Sequence, residues 1–205
     1  MTRRIPDERS ETAFADFKPA LTRDQAVVEA NRCLFCTDAP CVKACPTHID
    51  IPQFIRKIAT GNVKNSAKTI FDSNIFGMSC SRVCPVEVLC VGDCVYNEMG
   101  VPPIQIGKLQ RYATDMAFEE KWAFFQPAPD SGKKVALIGG GPASLACAHE
   151  LRRAGHAVTI FEKRAALGGL NTTGVAPYKM RADKSIEEVE WILQIGGIDV
   201  KTGVE

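Results

Sequence analysis

Apolar residues recur at helical spacing through roughly the first 120 positions and then give way to short apolar runs separated by glycine. Thr22-Arg-Asp-Gln25 has the form of a capping box, with Ala26, Val27, Ala30 and Leu34 as the apolar face behind it. This predicts a helix that delivers Cys33 and Cys36 at its end. Ile51 to Thr60 predicts a second helix, with Phe54, Ile55 and Ile58 on one side and Gly61 as its stop. A third runs from about Val63 to Phe71 and buries Ala67, Ile70 and Phe71. Pro102 and Pro103 open a fourth, with Ile106, Leu109, Ala113, Met116 and Ala117 at helical spacing. The first 20 residues are polar apart from scattered aromatics and read as a loose arm, with Phe14 and Phe17 docked locally.

The pattern changes at Gln126-Pro-Ala-Pro-Asp-Ser-Gly132, a linker by composition. Val135 to Ile138 then predicts a short buried strand, followed by a glycine-rich turn and a helix with Leu145, Ala148 and Leu151 inward. Gly155 ends that helix, and Ala157 to Glu162 is the next strand. A helix from about Ser185 to Ile195 begins with a Ser185-x-x-Glu188 box, and Ile198 to Lys201 is a third strand. Strand–helix–strand, then helix–strand, is the opening of a doubly wound nucleotide-binding sheet. The expected organisation is a helical domain over 1–125, a linker over 126–132 and a partial α/β Rossmann-like domain over 133–205.

The helical part carries the chemistry. Cys33, Cys36, Cys41 and Cys45 read C-x-x-C-x4-C-x3-C-P, and Cys80, Cys84, Cys90 and Cys94 read C-x3-C-P-x4-C-x3-C. This resembles the two-cluster ferredoxin run, in which three nearby thiolates hold one [4Fe–4S] cube and the fourth crosses to the other. Thiolate is the soft ligand such clusters require. A disulfide framework would suit a secreted chain, and nothing here indicates export. Two four-cysteine zinc sites are the stronger alternative, because Cys-x-x-Cys is also zinc spacing. Zinc modules usually pair one close doublet with another, whereas here two trios each run into a further cysteine, which favours clusters. Cys41-Val-Lys-Ala-Cys45-Pro and Cys80-Ser-Arg-Val-Cys84-Pro form a faint internal repeat. Lys43 and Arg82 fall at equivalent places in it, either offsetting cluster charge or simply solvated.

Bulk numbers narrow the class. A net charge of +1 with 24% charged residues argues against a nucleic-acid or membrane-surface binder. The first residues lack the apolar core of a signal peptide, and no stretch approaches the roughly 20 apolar residues of a membrane span. Nine cysteines in such a chain favour metal or redox use in a reducing cytoplasm. Cys147 reads as a small buried residue, and His48, His149 and His156 as surface histidines. With no Ser/His/Asp or paired-carboxylate arrangement, no hydrolytic chemistry is expected and no catalytic residue is named.

Gly139 and Gly141 occupy the first two places of a G-x-G-x-x-G loop, which make the tight turn and admit the pyrophosphate; Ser144 takes the third. The loop lies between a strand and a helix whose N-terminus faces the phosphates. Glu162, at the end of the next strand, is placed to accept a ribose hydroxyl. FAD and NAD both satisfy this pattern.

Taken together, the cysteine pattern, Gly-Lys-Leu-Gln-Arg (107–111), the glycine loop, Phe-Glu-Lys (161–163) and Leu-Gly-Gly-Leu (167–170) resemble a known family. Its members are FAD- and iron–sulfur-containing electron-input subunits, typified by the glutamate synthase small subunit and the corresponding part of dihydropyrimidine dehydrogenase. Ser144 and Thr172 favour the dihydropyrimidine dehydrogenase branch. The resemblance implies an α-helical two-cluster iron–sulfur domain followed by a partial Rossmann-like FAD-binding domain. It places Gly139, Gly140, Gly141, Pro142 and Ala143 around the FAD pyrophosphate and Glu162 on the adenosine ribose, with Lys163 among the cofactor-binding residues. Gly168, Gly169 and Leu170 fall beside the flavin, and Lys179 near the cofactor. It assigns Cys33, Cys36, Cys41 and Cys94 to one [4Fe–4S] cluster, and Cys45, Cys84, Cys90 and Gln110 to the second. Cys80 would be spare, although the internal repeat equates it with the ligand Cys41.

The implied activity is electron transfer from NAD(P)H through FAD and two clusters to a partner subunit, as a hetero-oligomer. That partner would be an FMN-containing dihydropyrimidine dehydrogenase subunit or the glutamate synthase large subunit. The chain stops after its third strand, so it is expected to be an amino-terminal fragment without the NAD(P)H site, oxidising NAD(P)H weakly or not at all. The rival of another class is a non-catalytic zinc and nucleotide-binding interaction module.

Overall fold

The computed structural model describes residues 14–204, which form two compact units. One spans Lys18–Trp122; the other holds residues 123–204 together with residues 14–17.

The first unit is helical: α1 (Arg23–Asn31), α2 (Pro40–Lys43), α3 (Ile51–Ala59), α4 (Val63–Ser73), α5 (Gly77–Val83) and α6 (Ile106–Glu119). The Thr22 box forms, its hydroxyl accepting from the Gln25 amide while the Gln25 side chain accepts from the Thr22 amide. Asp50 caps α3 by accepting from the Gln53 amide at 3.1 Å. The core lies where α3, α4, α5 and α6 meet. Phe54, Ile55, Ile58, Ile70 and Leu109 are fully buried there, and Ser66 ties α4 to α3 through a 2.8 Å bond to the Phe54 carbonyl. Removing these apolar surfaces from water, at roughly 25 cal/mol per Å², is what holds such short helices, because isolated helices of this length are marginal.

Several expectations shift. Leu34 lies beyond α1 and is exposed, because the chain turns at Arg32 to present its cysteines. Pro102 and Pro103 form an extended lead-in, and α6 starts only at Ile106. The short helices α2 and α5, each carrying a cysteine, are too brief to leave a periodic signal.

The second unit contains β1 (Lys134–Ile138), α7 (Pro142–Arg153), β2 (Ala157–Glu162), α8 (Leu170–Thr173), α9 (Ala182–Leu193) and β3 (Ile198–Thr202). The strands form a parallel sheet in the order β1-β2-β3, in register from Lys134↔Ala157 to Ile138↔Phe161. Leu145, Ala148, Ile160, Val189 and Ile192 make its core. Here α9 begins three residues before Ser185, so the Ser185-x-x-Glu188 box is not a cap. Ser185 is buried inside the helix, and its hydroxyl pairs with that of Thr172 at 2.9 Å. Phe17 packs edge-to-face on Tyr178, distant in sequence rather than local. Cys147 is exposed on the outer face of α7, contrary to expectation. His149, expected at the surface, is buried against Phe125, and burial lowers its basicity.

Candidate functional site

All nine cysteines are free, and eight fall into two sets within the helical unit. The turn after α1 brings in Cys33 and Cys36, α2 brings Cys41, and the loop after the Val86–Val88 turn returns Cys94. These four line one cavity together with Ile51, Ile55 and Ile104. Burial pushes the Cys41 thiol up to about 12, with Cys33, Cys94 and Cys36 adding to the effect. Burial also raises Cys33, partly offset by the Phe35 backbone amide.

A clamp fixes the two halves of this set. Glu29, buried on α1, accepts from Arg32 and from the Gln105 amide, each at 2.8 Å. The Arg32 guanidinium reaches the Pro102 carbonyl, and the Tyr96 hydroxyl donates to the Arg32 carbonyl at 2.6 Å. The Cys33 turn and the Cys94 loop are thereby held together. Sequence reasoning missed this, because a buried Glu–Arg pair is indistinguishable in sequence from a solvated one.

In the second set, Cys80 hydrogen-bonds Cys84, and the Cys84 thiol is lowered first by that bond and then by the Lys18 ammonium. Burial pushes Cys90 up to about 12, with Cys84 and Cys45 contributing. Cys80 feels Cys45 as well, so Cys45 and Cys84 each act on both Cys80 and Cys90. Gln110, on the buried face of α6, donates from Nε2 to the Gly77 carbonyl at 2.8 Å. Lys43 is an exposed partner of Asp38, whereas Arg82 is buried and bonds both oxygens of Asp115 at 2.7 and 2.8 Å. The two basic residues equated by the repeat are therefore not equivalent.

Among the described residues, no three or more His, Cys, Asp or Glu side chains close around a single-ion position. Eight of the candidate donors are thiols, the soft ligands that iron–sulfur clusters take. Buried thiols also carry a pH signature. Between the ordinary thiol value of 9.0 and about 12, the unfolded chain has lost protons that folded Cys41 and Cys90 retain, so the stability of the metal-free protein falls as pH rises through this window. Chelator-treated, reduced protein should show a lower urea midpoint at pH 10 than at pH 8. Replacing Cys41 and Cys90 by serine should shrink the difference; an unchanged difference would contradict the assignment.

In the second unit the Gly139 amide bonds the Phe161 carbonyl at 2.7 Å, turning the chain from β1 over the end of β2. Gly141 is the N-cap of α7, with Pro142 and Ala143 opening the helix. A Cβ on Gly139 or Gly141 would meet nothing within 4 Å, so both face open space. Gly140 instead packs on Leu167 and Glu162, and its carbonyl accepts from the Gly168 amide at 2.8 Å. Gly169, at φ +52, brings its backbone so close that a Cβ would lie 2.9 Å from the Gly141 Cα. The double glycine thus lies directly on the loop. Glu162 accepts from the Arg164 amide at 2.7 Å and the Gly140 amide at 2.5 Å, which hold its carboxyl below the usual range. Glu162 and Lys163 line an open cavity of about 580 Å³ with Ile138, Gly139, Phe161 and Val204. Leu170 is exposed at the start of α8, and Lys179 is exposed as well.

A helical domain with two thiol sets and a Rossmann-like domain with an open glycine loop define a chain built for an iron–sulfur group and a nucleotide. Residues 9–122, more than half of the chain, match the family model described as dihydropyrimidine dehydrogenase domain II, 4Fe-4S cluster, and the chain belongs to that family. Residues 137–187 match the NAD(P)-binding Rossmann-like domain model. The chain is 41% identical over 182 residues to the NAD-dependent dihydropyrimidine dehydrogenase subunit PreT of Escherichia coli K12, covering 88% of this chain and 44% of that protein. The Salmonella typhimurium PreT subunit is 37% identical over 190 residues, 93% of this chain and 46% of the relative. The small chain of NADPH glutamate synthase from Halomonas elongata is 35% identical over 199 residues, 94% of this chain and 40% of the relative. The chain thus spans less than half the length of these relatives. Among the described residues, no helix is long and apolar enough to cross a membrane.

Proposed function

We propose that this chain is an electron-input component of an NAD(P)-dependent dihydropyrimidine dehydrogenase. It would relay electrons from NAD(P)H through FAD and two [4Fe–4S] clusters to a catalytic partner subunit in the cytoplasm. The observation that carries the reading is the division of eight cysteines into two sets in one unit, with an open glycine loop in the other. When bound, flavin accepts electrons as a pair and clusters carry them singly.

The chain's own residues supply binding and orientation. Cys33, Cys36, Cys41 and Cys94 would hold one cluster, with the Glu29–Arg32–Tyr96 clamp fixing their spacing. Cys45, Cys84, Cys90 and Gln110 would hold the other. The Nε2 bond from Gln110 to Gly77 supports this role, since it commits the amide's donor end and leaves Oε1 as the ligand end. Cys80 in place of Gln110 is a second reading, favoured by its bond to Cys84. Gln110→Leu should alter one electron paramagnetic resonance (EPR) signal and leave the other. Loss on Cys80→Ser instead would select the second reading.

The α7 N-terminus with Gly139 and Gly141 would take the pyrophosphate. Glu162, its carboxyl kept ionised by two backbone amides, would accept the ribose hydroxyl. The family description of residues 137–187 favours a second reading here, NAD(P) held directly in this loop. Denaturing the purified protein and identifying the released nucleotide separates the two: FAD supports the relay, and NAD(P) without flavin overturns it. The glutamate synthase relative makes the large subunit of that enzyme the alternative partner. Co-purification from the native host, followed by identification of the companion, decides between them.

A further inference from the structure

We infer that Lys18 sets the reduction potential of the second cluster, and that a buried ion network holds it in place for that purpose. The inference rests on the cluster reading above. It needs only Cys84 as a ligand, so it holds whether Gln110 or Cys80 completes the set.

Lys18 lies at the start of the helical unit, 66 residues from Cys84 in sequence, and its Nζ donates to the Cys84 carbonyl at 3.2 Å. Its side chain is only 17% exposed, so water screens the charge weakly. The position is enforced from the backbone side. Arg111 on α6 donates from Nη1 to the Lys18 carbonyl and from Nε to Asp115 at 3.2 Å. Asp115 is gripped on both oxygens by buried Arg82, which lies between Cys80 and Cys84 on α5. Arg82 and Arg111 are thus committed to Asp115 and act as positioning residues. Lys18 is the cation carried to the ligand loop.

A cluster gains one negative charge on reduction, and a fixed ammonium beside its ligand favours that reduced form. Charge and hydrogen bonding at the ligands are recognised levers on cluster potential. Glu87 opposes the effect. Its carboxylate lies 3.3 Å from the Lys18 ammonium but is 66% exposed, so it only partly cancels the charge. The arrangement therefore predicts opposite shifts from removing the two partners, a pattern that loss of packing would not produce.

The test is an EPR-monitored redox titration of the anaerobically purified full chain, comparing wild type with Lys18→Met, Lys18→Arg and Glu87→Gln. Lys18→Met should make the second cluster harder to reduce, lowering its reduced-to-oxidised ratio at fixed potential about tenfold, or 59 mV for a one-electron couple. The first cluster should not move. Lys18→Arg should restore most of the shift, and the exposed-site variant Glu87→Gln should displace the potential in the opposite direction. Two wild-type cluster signals with potentials unmoved by Lys18→Met, or moved the same way by both charge removals, would overturn the inference. A wild-type chain without any cluster would overturn the reading beneath it, and the inference with it.

Discussion

Cys94→Ser leaves the chain with about four of the eight irons that two four-iron clusters require, and removes one of two EPR signals. The effect is large because Cys94 is the only member of its set from the far side of the sequence. Cys33, Cys36 and Cys41 lie within nine residues, but they enclose their cavity only when the Cys94 loop closes it. The substituted oxygen is a harder donor than thiolate and poorly suited to iron–sulfur chemistry. The proposed second set, Cys45, Cys84 and Cys90 with Gln110 or Cys80, does not include Cys94 and should keep its cluster. Cys84→Ser should give the complementary loss. Iron and acid-labile sulfide assays on anaerobically reconstituted protein, with EPR of the reduced form, read both variants. Loss of all iron from either variant would mean that the two sets are not independent; full iron in Cys94→Ser would remove Cys94 from the ligands.

Gly141→Val should abolish detectable nucleotide retention, raising the dissociation constant at least about 100-fold, roughly 2.7 kcal/mol, while leaving the fold intact. Gly141 has φ −79 and ψ 177, an extended conformation open to any residue, and a Cβ there enters empty space. That space is where backbone must approach a pyrophosphate, so the side chain competes with the ligand rather than with the protein. Gly169→Val is the contrasting control. Its φ of +52 and its contact with the Gly141 backbone make any side chain there a strain on the fold itself. Circular dichroism and a thermal melt separate the two outcomes. A Gly141→Val protein that retains nucleotide like wild type would remove the loop from the binding site.

Much of this architecture is legible in the sequence because its signals are local. The capping box at Thr22, the buried face of α3, and the strand–glycine–helix run from Lys134 to Arg153 each depend on residues within one turn or strand. The cysteine spacing is legible for the same reason, since ligand loops are short. What escaped is non-local. Nothing near Lys18 in sequence announces the Cys84 carbonyl or the Arg111 that holds it. Arg82 and Lys43 share a motif position, yet α6 supplies Asp115 to only one of them. The Ser185-x-x-Glu188 pattern has the form of a cap but sits inside a helix, because Thr172 offers Ser185 a partner that no pattern search can see. His149 reads as solvated, but Phe125, the residue before the linker, packs against it.

The most direct test of the account is the metal and sulfide content of the chain purified without oxygen. The relay requires about eight irons and eight acid-labile sulfides per chain in a brown protein, as two four-iron cubes dictate. A colourless protein with about two zinc ions and no sulfide, as two four-thiolate sites would hold, would contradict it.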